Sequence, residues 1–310
     1  MNSPKLFALL SIIIWSFGPA LGKFISLKTQ FLLTGVAYFF AFLVLITYHY
    51  LQDKEAFFQK LRQTKVAYFL IGLFGYSIFS LSFIQTFRAF DSASEPTILN
   101  YTWPIFTVLF TEILFRIKKK TKVVYLIEWF GVLIGFFSII LLITRGDLSS
   151  LQITNLNGLF WGLLTGSSYG FFSAYSGTVP KARQATFLLS AIFASLLVTI
   201  SLSLSELSVL PTLTIRDFMI AATLGVFVNG VAYITWTKAS RLLREKKESI
   251  SSIAGMTFFL PLFSLLNIAF IFKEQTLWNP IFLFVILLLI CSSILCQKAE
   301  VIEKYIRKKI

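Results

Sequence analysis

Ten runs of roughly twenty mostly apolar residues, separated by short polar segments, constrain this chain more than any other feature. They fall at approximately residues 5–22, 30–50, 66–88, 93–115, 123–143, 158–177, 187–205, 217–237, 250–272 and 277–297. A helix needs about 20 apolar residues to cross the hydrocarbon core, so ten crossings use about 200 residues and leave only loops and tails. With 56% of its 310 residues hydrophobic and 14% charged, the chain lacks the polar surface that a water-soluble fold of this length requires. The expected class is an all-α integral membrane protein without a separate soluble domain. The first run, with Lys5 ahead of it and Pro19-Ala20-Leu21-Gly22 near its end, has the look of a cleaved signal peptide. The same pattern recurs in mid-chain, so the run is read as a span.

The net charge of +14 raises nucleic acid as a partner, but the distribution of that charge argues against it. With the N-terminus placed in the cytoplasm, the inward segments hold 22 Lys and Arg residues and the outward segments six, namely Lys23, Lys28, Arg88, Arg145, Arg216 and Lys273. Cytoplasmic loops of membrane proteins carry such an excess, so the basic charge reports topology, with ten spans and both termini cytoplasmic. Cys291 and Cys296 lie five residues apart in the last run, a spacing that suits neither a disulfide framework nor a zinc site. No metal and no cofactor is expected.

The chain also resembles itself. At an offset of 154, Leu9-Leu10-Ser11, Trp15 and Phe17 align with Leu163-Leu164-Thr165, Tyr169 and Phe171. At an offset of 150, Gly75 and Arg88-Ala89 align with Gly225 and Lys238-Ala239, and Pro104 answers Pro261 further on. Order and spacing are kept, which predicts a first five-helix repeat over 1–147 and a second over 148–310. Five is odd, so the second repeat would sit inverted, a design that lets two halves open a central midplane site to either side in turn.

Several chemistries are disfavoured. The string Gly18-Pro19-Ala20-Leu21-Gly22-Lys23-Phe24 is one residue short of a phosphate-cradling loop and lacks its Ser or Thr. His49 is the single histidine and sits at a helix end, which leaves a hydrolase without an evident base. No Lys or Arg lies deep in a span, which argues against a phosphorylated or sulfated substrate. Glu112 and Glu128 are the acids within spans, each a turn or two from the cytoplasmic end. Glu112 is four residues from Arg116, the spacing of a helix-face ion pair, and Glu128 faces a cationic loop. The alternative role for both is proton coupling.

What the spans do offer is neutral polarity beside aromatic rings: Trp15, Tyr76, Asn100, Tyr101, Trp103, Tyr169, Asn229 and Tyr233, with Ser77, Ser80, Gln85 and Asn267. Such a lining suits a neutral or zwitterionic small molecule with an apolar body. With 35 phenylalanines in the chain, many aromatics must face lipid or fill packing positions, so ring content alone marks no site. In the fourth run Asn100, Trp103 and Thr107 recur at helical spacing, and Pro104 removes the amide that would pair with the Asn100 carbonyl. Gly18-Pro19 and Pro261 are the corresponding candidate helix breaks in runs one and nine. Broken backbone at membrane depth is tolerated where it lines a cavity or is buried in protein.

Trp15-Ser16-Phe17-Gly18-Pro19, Ala89-Phe90-Asp91-Ser92-Ala93-Ser94-Glu95-Pro96, the pair Pro104 and Pro261, and Lys273-Glu274-Gln275-Thr276 together resemble the drug/metabolite transporter superfamily, EamA type. Within it, Leu99-Asn100-Tyr101-Thr102-Trp103-Pro104 resembles the helix-four signature of the aromatic amino-acid exporters. The resemblance implies a ten-helix bundle with helices five and ten peripheral. It also implies a cavity lined by Asn100, Tyr101 and Trp103, and amino-acid export across a bacterial plasma (inner) membrane. The chain departs from the family at Arg116-Ile117-Lys118, where a Glu-Arg pair is common, and no role is carried to that position. Members of the small multidrug resistance branch use a glutamate in the first helix, and none lies between Leu6 and Gly22. The reading is therefore a non-enzymatic secondary transporter whose partners are a small-molecule substrate and membrane lipid. Export of another hydrophobic metabolite or drug is the first alternative, and a membrane-embedded enzyme or non-transporting receptor the distant one. Oligomeric state is left open.

Overall fold

The computed structural model describes residues 3–22, 29–90, 94–115, 121–151, 155–248, 251–272 and 280–308. The sequence features at Lys23, Lys28, Asp91-Ser92-Ala93, Arg116-Ile117-Lys118 and Lys273-Glu274-Gln275-Thr276 lie outside the described residues. Among those described the chain is almost wholly helical, with no strand.

Seven helical stretches are long and apolar enough to cross a membrane: Pro4–Leu21, Gln30–Asp53, Val66–Ala89, Lys122–Thr144, Lys181–Ser208, Ile215–Glu245 and Ile281–Arg307. The three other expected spans have identifiable reasons for falling short. The run at 93–115 is divided into α7 (Ser94–Asn100) and α8 (Trp103–Phe110), followed by a π turn over Thr111–Phe115. The run at 250–272 is divided into α14 (Ser251–Ala254), a 3₁₀ stretch over Gly255–Phe259 and α15 (Leu260–Phe272). The run at 158–177 forms one helix, α10 (Leu156–Ser176), but glycine, serine and threonine dilute its hydropathy.

The remaining elements are α1 (Pro4–Ser16), α2 (Gly18–Gly22), α3 (Gln30–Asp53), α4 (Glu55–Arg62), α5 (Val66–Ile71), α6 (Ile78–Ala89), α9 (Lys122–Thr144), α11 (Gln184–Ser203), α12 (Ile215–Thr223), α13 (Ala232–Glu245) and α16 (Pro280–Arg307). A π-helical stretch over Gly72–Ser77 joins α5 to α6, and another over Leu224–Val231 joins α12 to α13.

Local chemistry accounts for the breaks. Pro19, Pro104 and Pro261 each occupy the second residue of a helical segment, α2, α8 and α15. At Pro19 and Pro104, where a turn precedes the segment, a missing amide costs no intrahelical hydrogen bond and the fixed φ favours the new turn. At Pro261 the chain is helical on both sides, and the Leu260 amide bonds the Thr257 carbonyl in the tighter 3₁₀ pattern. Thr121 caps α9 by accepting from the Val124 amide at 3.2 Å, and Asn155 caps α10 by accepting from the Gly158 amide at 3.0 Å.

Helix α10 packs on α6, α7 and α8, and α1 packs on α13 and α15. Hydroxyls stitch both sets. Thr165 of α10 donates to Ser82 of α6 at 3.0 Å, Ser11 of α1 lies 2.7 Å from Thr235 of α13, and Asn267 of α15 donates to Ser16 of α1 at 2.8 Å. Small residues set the approach distance in the first set: a Cβ on Gly170 would lie 2.4 Å from the Phe106 Cβ. Helix α3 packs on α11, while α9 and α16 form a pair beside the 3₁₀ stretch 255–259.

Candidate functional site

Five of the eight residues that the sequence nominates for substrate binding converge in one buried cluster: Trp15, Tyr76, Trp103, Tyr169 and Tyr233. They come from α1, the π stretch after α5, α8, α10 and α13. Trp15 is only partly buried at its edge, and the other four are buried. Tyr169 stands edge-on to Trp103, with centroids 4.9 Å apart, and Tyr76 edge-on to Tyr233 at 4.9 Å. Trp15 contacts Tyr233 at 5.3 Å and Tyr169 at 6.5 Å. Edge-to-face pairs of this kind contribute ~0.5–1.5 kcal/mol each beyond the area they bury.

Further rings in contact with these five were not singled out from the sequence, among them Trp236, Tyr38, Phe79 and Phe172. Trp236 lies 5.4 Å from Trp15 and 5.6 Å from Trp103, Tyr38 lies 5.6 Å from Tyr76, and Phe79 lies 4.8 Å from Tyr169. Trp236 is three residues beyond Tyr233, so the helical repeat puts both on one face of α13. That spacing was the available signal.

Polar groups are few and deliberately held. The Tyr76 hydroxyl donates to Asn229 Oδ1 at 3.1 Å, and the Trp236 indole donates to Ser173 Oγ at 3.1 Å. Trp15 Nε1 donates to the Val228 carbonyl at 3.1 Å. Asn229 and Val228 both sit in the π stretch 224–231, where the widened turn loosens the regular ladder of backbone bonds. The Tyr38 hydroxyl bonds Ser80 Oγ. The Tyr169 hydroxyl faces Tyr233 but makes no well-formed hydrogen bond.

Of the other nominated residues, Asn229 joins the cluster through its bond to Tyr76, and the rest lie around or beyond it. Tyr101 packs in a second cluster with Val132, Ile139, Phe258 and Leu262, towards α9 and α15. Asn100 ends α7, and its side-chain oxygen is buried without a hydrogen-bond partner. Thr107 donates to the Trp103 carbonyl at 2.9 Å. Gly18 and Pro19 open α2, directly after α1 ends at Ser16. Glu112 is half-buried in the π turn 111–115, and Glu128 is buried on α9, where its carbonyl accepts from the Cys296 thiol at 3.7 Å.

The fold and composition define a multi-pass helical membrane protein. Residues 3–144 match the model of the EamA-like transporter family. Fourteen solved chains resemble the structure. One of them, described only as the crystal structure of a protein, superposes with a TM-score of 0.72 over 94% of this chain and 95% of its own. At 17% identity that likeness concerns the fold. No curated protein matches the chain.

Proposed function

We propose that the protein is a secondary transporter that moves small neutral or zwitterionic metabolites by alternating access, with amino acids, the aromatic class foremost, as cargo and export as the net direction. The observation that carries this reading is the ring cluster of Trp15, Tyr76, Trp103, Tyr169 and Tyr233, drawn from both ends of the sequence to one place. Aromatic faces stack on a planar apolar side chain and attract an ammonium group, while Asn229 and the Tyr169 hydroxyl supply neutral polar contacts. Such a lining would accept a zwitterion without a buried charge of its own.

The rings pack against one another in this conformation, so admitting a solute requires the helices that carry them to separate. An inverted repeat over 1–147 and 148–310 supplies the means. Its support is the exchanged pairing of helices: α1 packs on α13 and α15, α10 packs on α6 and α8, and a π stretch precedes both α6 and α13. In this reading the chain has ten crossings in a plasma (inner) membrane with both termini cytoplasmic. Gly18, Pro19, Pro104 and Pro261 are hinge points, and Glu112 and Glu128 are the carboxylates available for proton coupling.

The test is counterflow in proteoliposomes loaded with unlabelled amino acids one at a time, following labelled phenylalanine, tryptophan, threonine and methionine. Trp103→Ala removes a ring from the centre of the cluster and is expected to lower counterflow at least tenfold, about 1.4 kcal/mol or more, while the protein still inserts. Normal counterflow by that variant overturns the assignment of the site. Flat traces for all four solutes, with wild-type insertion verified, move the cargo to another hydrophobic metabolite.

A further inference from the structure

The two ends of α11 differ in how they are tied. Twenty residues at 1.5 Å each put Gln184 and Ser203 at opposite ends of a rod of roughly 30 Å, long enough to cross the membrane. Just beyond Ser203, Glu206 is buried, and its carboxylate is fully engaged. One oxygen accepts from the Leu32 amide at 2.8 Å; the other accepts from the Phe31 amide at 3.3 Å and from Arg88 Nη2 at 3.0 Å. The Arg88 guanidinium also lies over the Phe31 ring, 4.6 Å from its centroid. Glu206 comes from the second half of the chain, whereas Phe31, Leu32 and Arg88 come from the first. Three elements, the start of α3, the end of α6 and the turn after α11, therefore meet on one carboxylate.

At the other end of α11 the ion pair lies within the second half, and aromatic contacts join the two halves there, Tyr68 with Phe187 at 5.5 Å and Lys238 over the Phe7 ring at 4.1 Å. Arg241 donates to Gln184 Oε1 at 3.0 Å and to Glu245 at 2.8 Å, and Gln184 donates to the Thr237 carbonyl at 2.8 Å, all within the second half. Beside this network lies a cleft of 240 Å³ bordered by Val179, Pro180, Lys181 and Arg244. A file of rings connects the tied end to the candidate site. Phe79 meets Tyr169 at 4.8 Å, Phe83 meets Phe79 at 5.9 Å, and Phe87 meets Phe83 at 4.8 Å, with Arg88 next in sequence.

We infer that Glu206 is a gate latch: its carboxylate, bound to the Phe31 and Leu32 amides and to Arg88, ties the start of α3 to the ends of α6 and α11 and keeps this end of the molecule shut. The inference rests on the alternating-access reading above and names the contact that must break for solute to pass this face. The chemistry suits a latch. A carboxylate that replaces water at two amides and a guanidinium binds firmly while dry, and each of those groups is stable again once water enters. Opening needs no covalent change.

Cysteine accessibility tests it. In a Cys291→Ser, Cys296→Ala background, Phe83→Cys places one thiol midway along the ring file. Its rate of reaction with a bulky charged maleimide, measured on full-length protein in lipid nanodiscs, reports opening. Glu206→Gln, which keeps one acceptor oxygen and the side-chain shape, is expected to raise that rate about tenfold, the factor of a ~1.4 kcal/mol shift. Arg88→Gln should do the same, and the double variant should exceed neither, because both act on one contact. Unchanged rates in both single variants overturn the latch, as do additive rates in the double variant. Melting temperatures close to the parent's are required for each variant, and Arg88→Gln, at a partly exposed residue, serves if Glu206→Gln does not fold. The labelling readout involves no substrate, so a failed latch is distinguishable from a failed transport reading, which Trp103→Ala counterflow decides.

Discussion

The pair α9 and α16 and the central helix α10 lie in one bundle and are built on opposite rules. The most apolar 18 residues within α9 and within α16 have mean hydropathies of 2.5 and 2.4, among the highest in the molecule, and the outward faces of these helices are rows of Leu, Ile and Phe such as Leu126, Phe130, Leu283 and Leu287. Their mutual seam is small and tight, with Gly131 and Gly135 against Ser292 and Cys296. Helix α10 is full of Gly, Ser and Thr, is buried over much of its length, and is too polar on average to register as a span. Lipid-facing surface demands apolar side chains everywhere, whereas a helix surrounded by other helices needs close approach and hydroxyl partners instead. In this molecule hydropathy marks the scaffold, and its local absence marks the interior that carries the rings.

Three substitutions sharpen that contrast or break it. The largest effect is expected at the seam. In Gly135→Val a Cβ would stand 2.2 Å from the Phe258 ring and 2.6 Å from Ser292 Oγ, so α9 and α16 must part. A loss of about 3 kcal/mol is expected, read as a lower melting temperature in detergent; a parent-like melt would show that the pair is not a rigid scaffold. Next is Tyr76→Phe in the centre, which deletes the hydrogen bond to Asn229 and leaves the ring. About 1 kcal/mol is at stake, so half-saturation in counterflow should shift about fivefold with little change in melting. A shift in melting without one in counterflow would make Tyr76 structural. The smallest effect belongs to Leu126→Ala, on the exposed face of α9 at 67% exposure. Stability should move by no more than about 0.5 kcal/mol, and a larger loss would place a protein partner rather than lipid on that face.

Much of the helical layout was legible because apolar runs of membrane length have few alternatives. Where the sequence holds Pro104 and Pro261, the expected breaks coincide with the divided helices α7–α8 and α14–α15. Five of the nominated rings share one cluster because each stands near small or polar neighbours, as Tyr76 does beside Gly75 and Ser77. Phe79 was indistinguishable from 34 other phenylalanines, and Tyr38 had no polar residue between Thr34 and Thr47 to mark it. Tyr101, adjacent to Asn100 in sequence, turns to the other cluster because the chain is no longer regular helix at 101 and 102. Glu206 was invisible for a different reason. It stands in a short segment between spans, where an acid usually meets water, and nothing local announces that the start of α3 and the end of α6 arrive to bury it.

The π stretches have a consequence for reading helices as wheels. A π turn accommodates one residue more than the α-helical ladder does, and one residue corresponds to about 100° of rotation. Up to Ile71 the third crossing leans on α11; beyond Ser77 it leans on α10. The same phase change precedes α13. A wheel drawn straight through either crossing would therefore assign half of its residues to the wrong neighbour. Each crossing behaves as two short wheels on one axle, set out of phase so that a single pass through the membrane serves two partners.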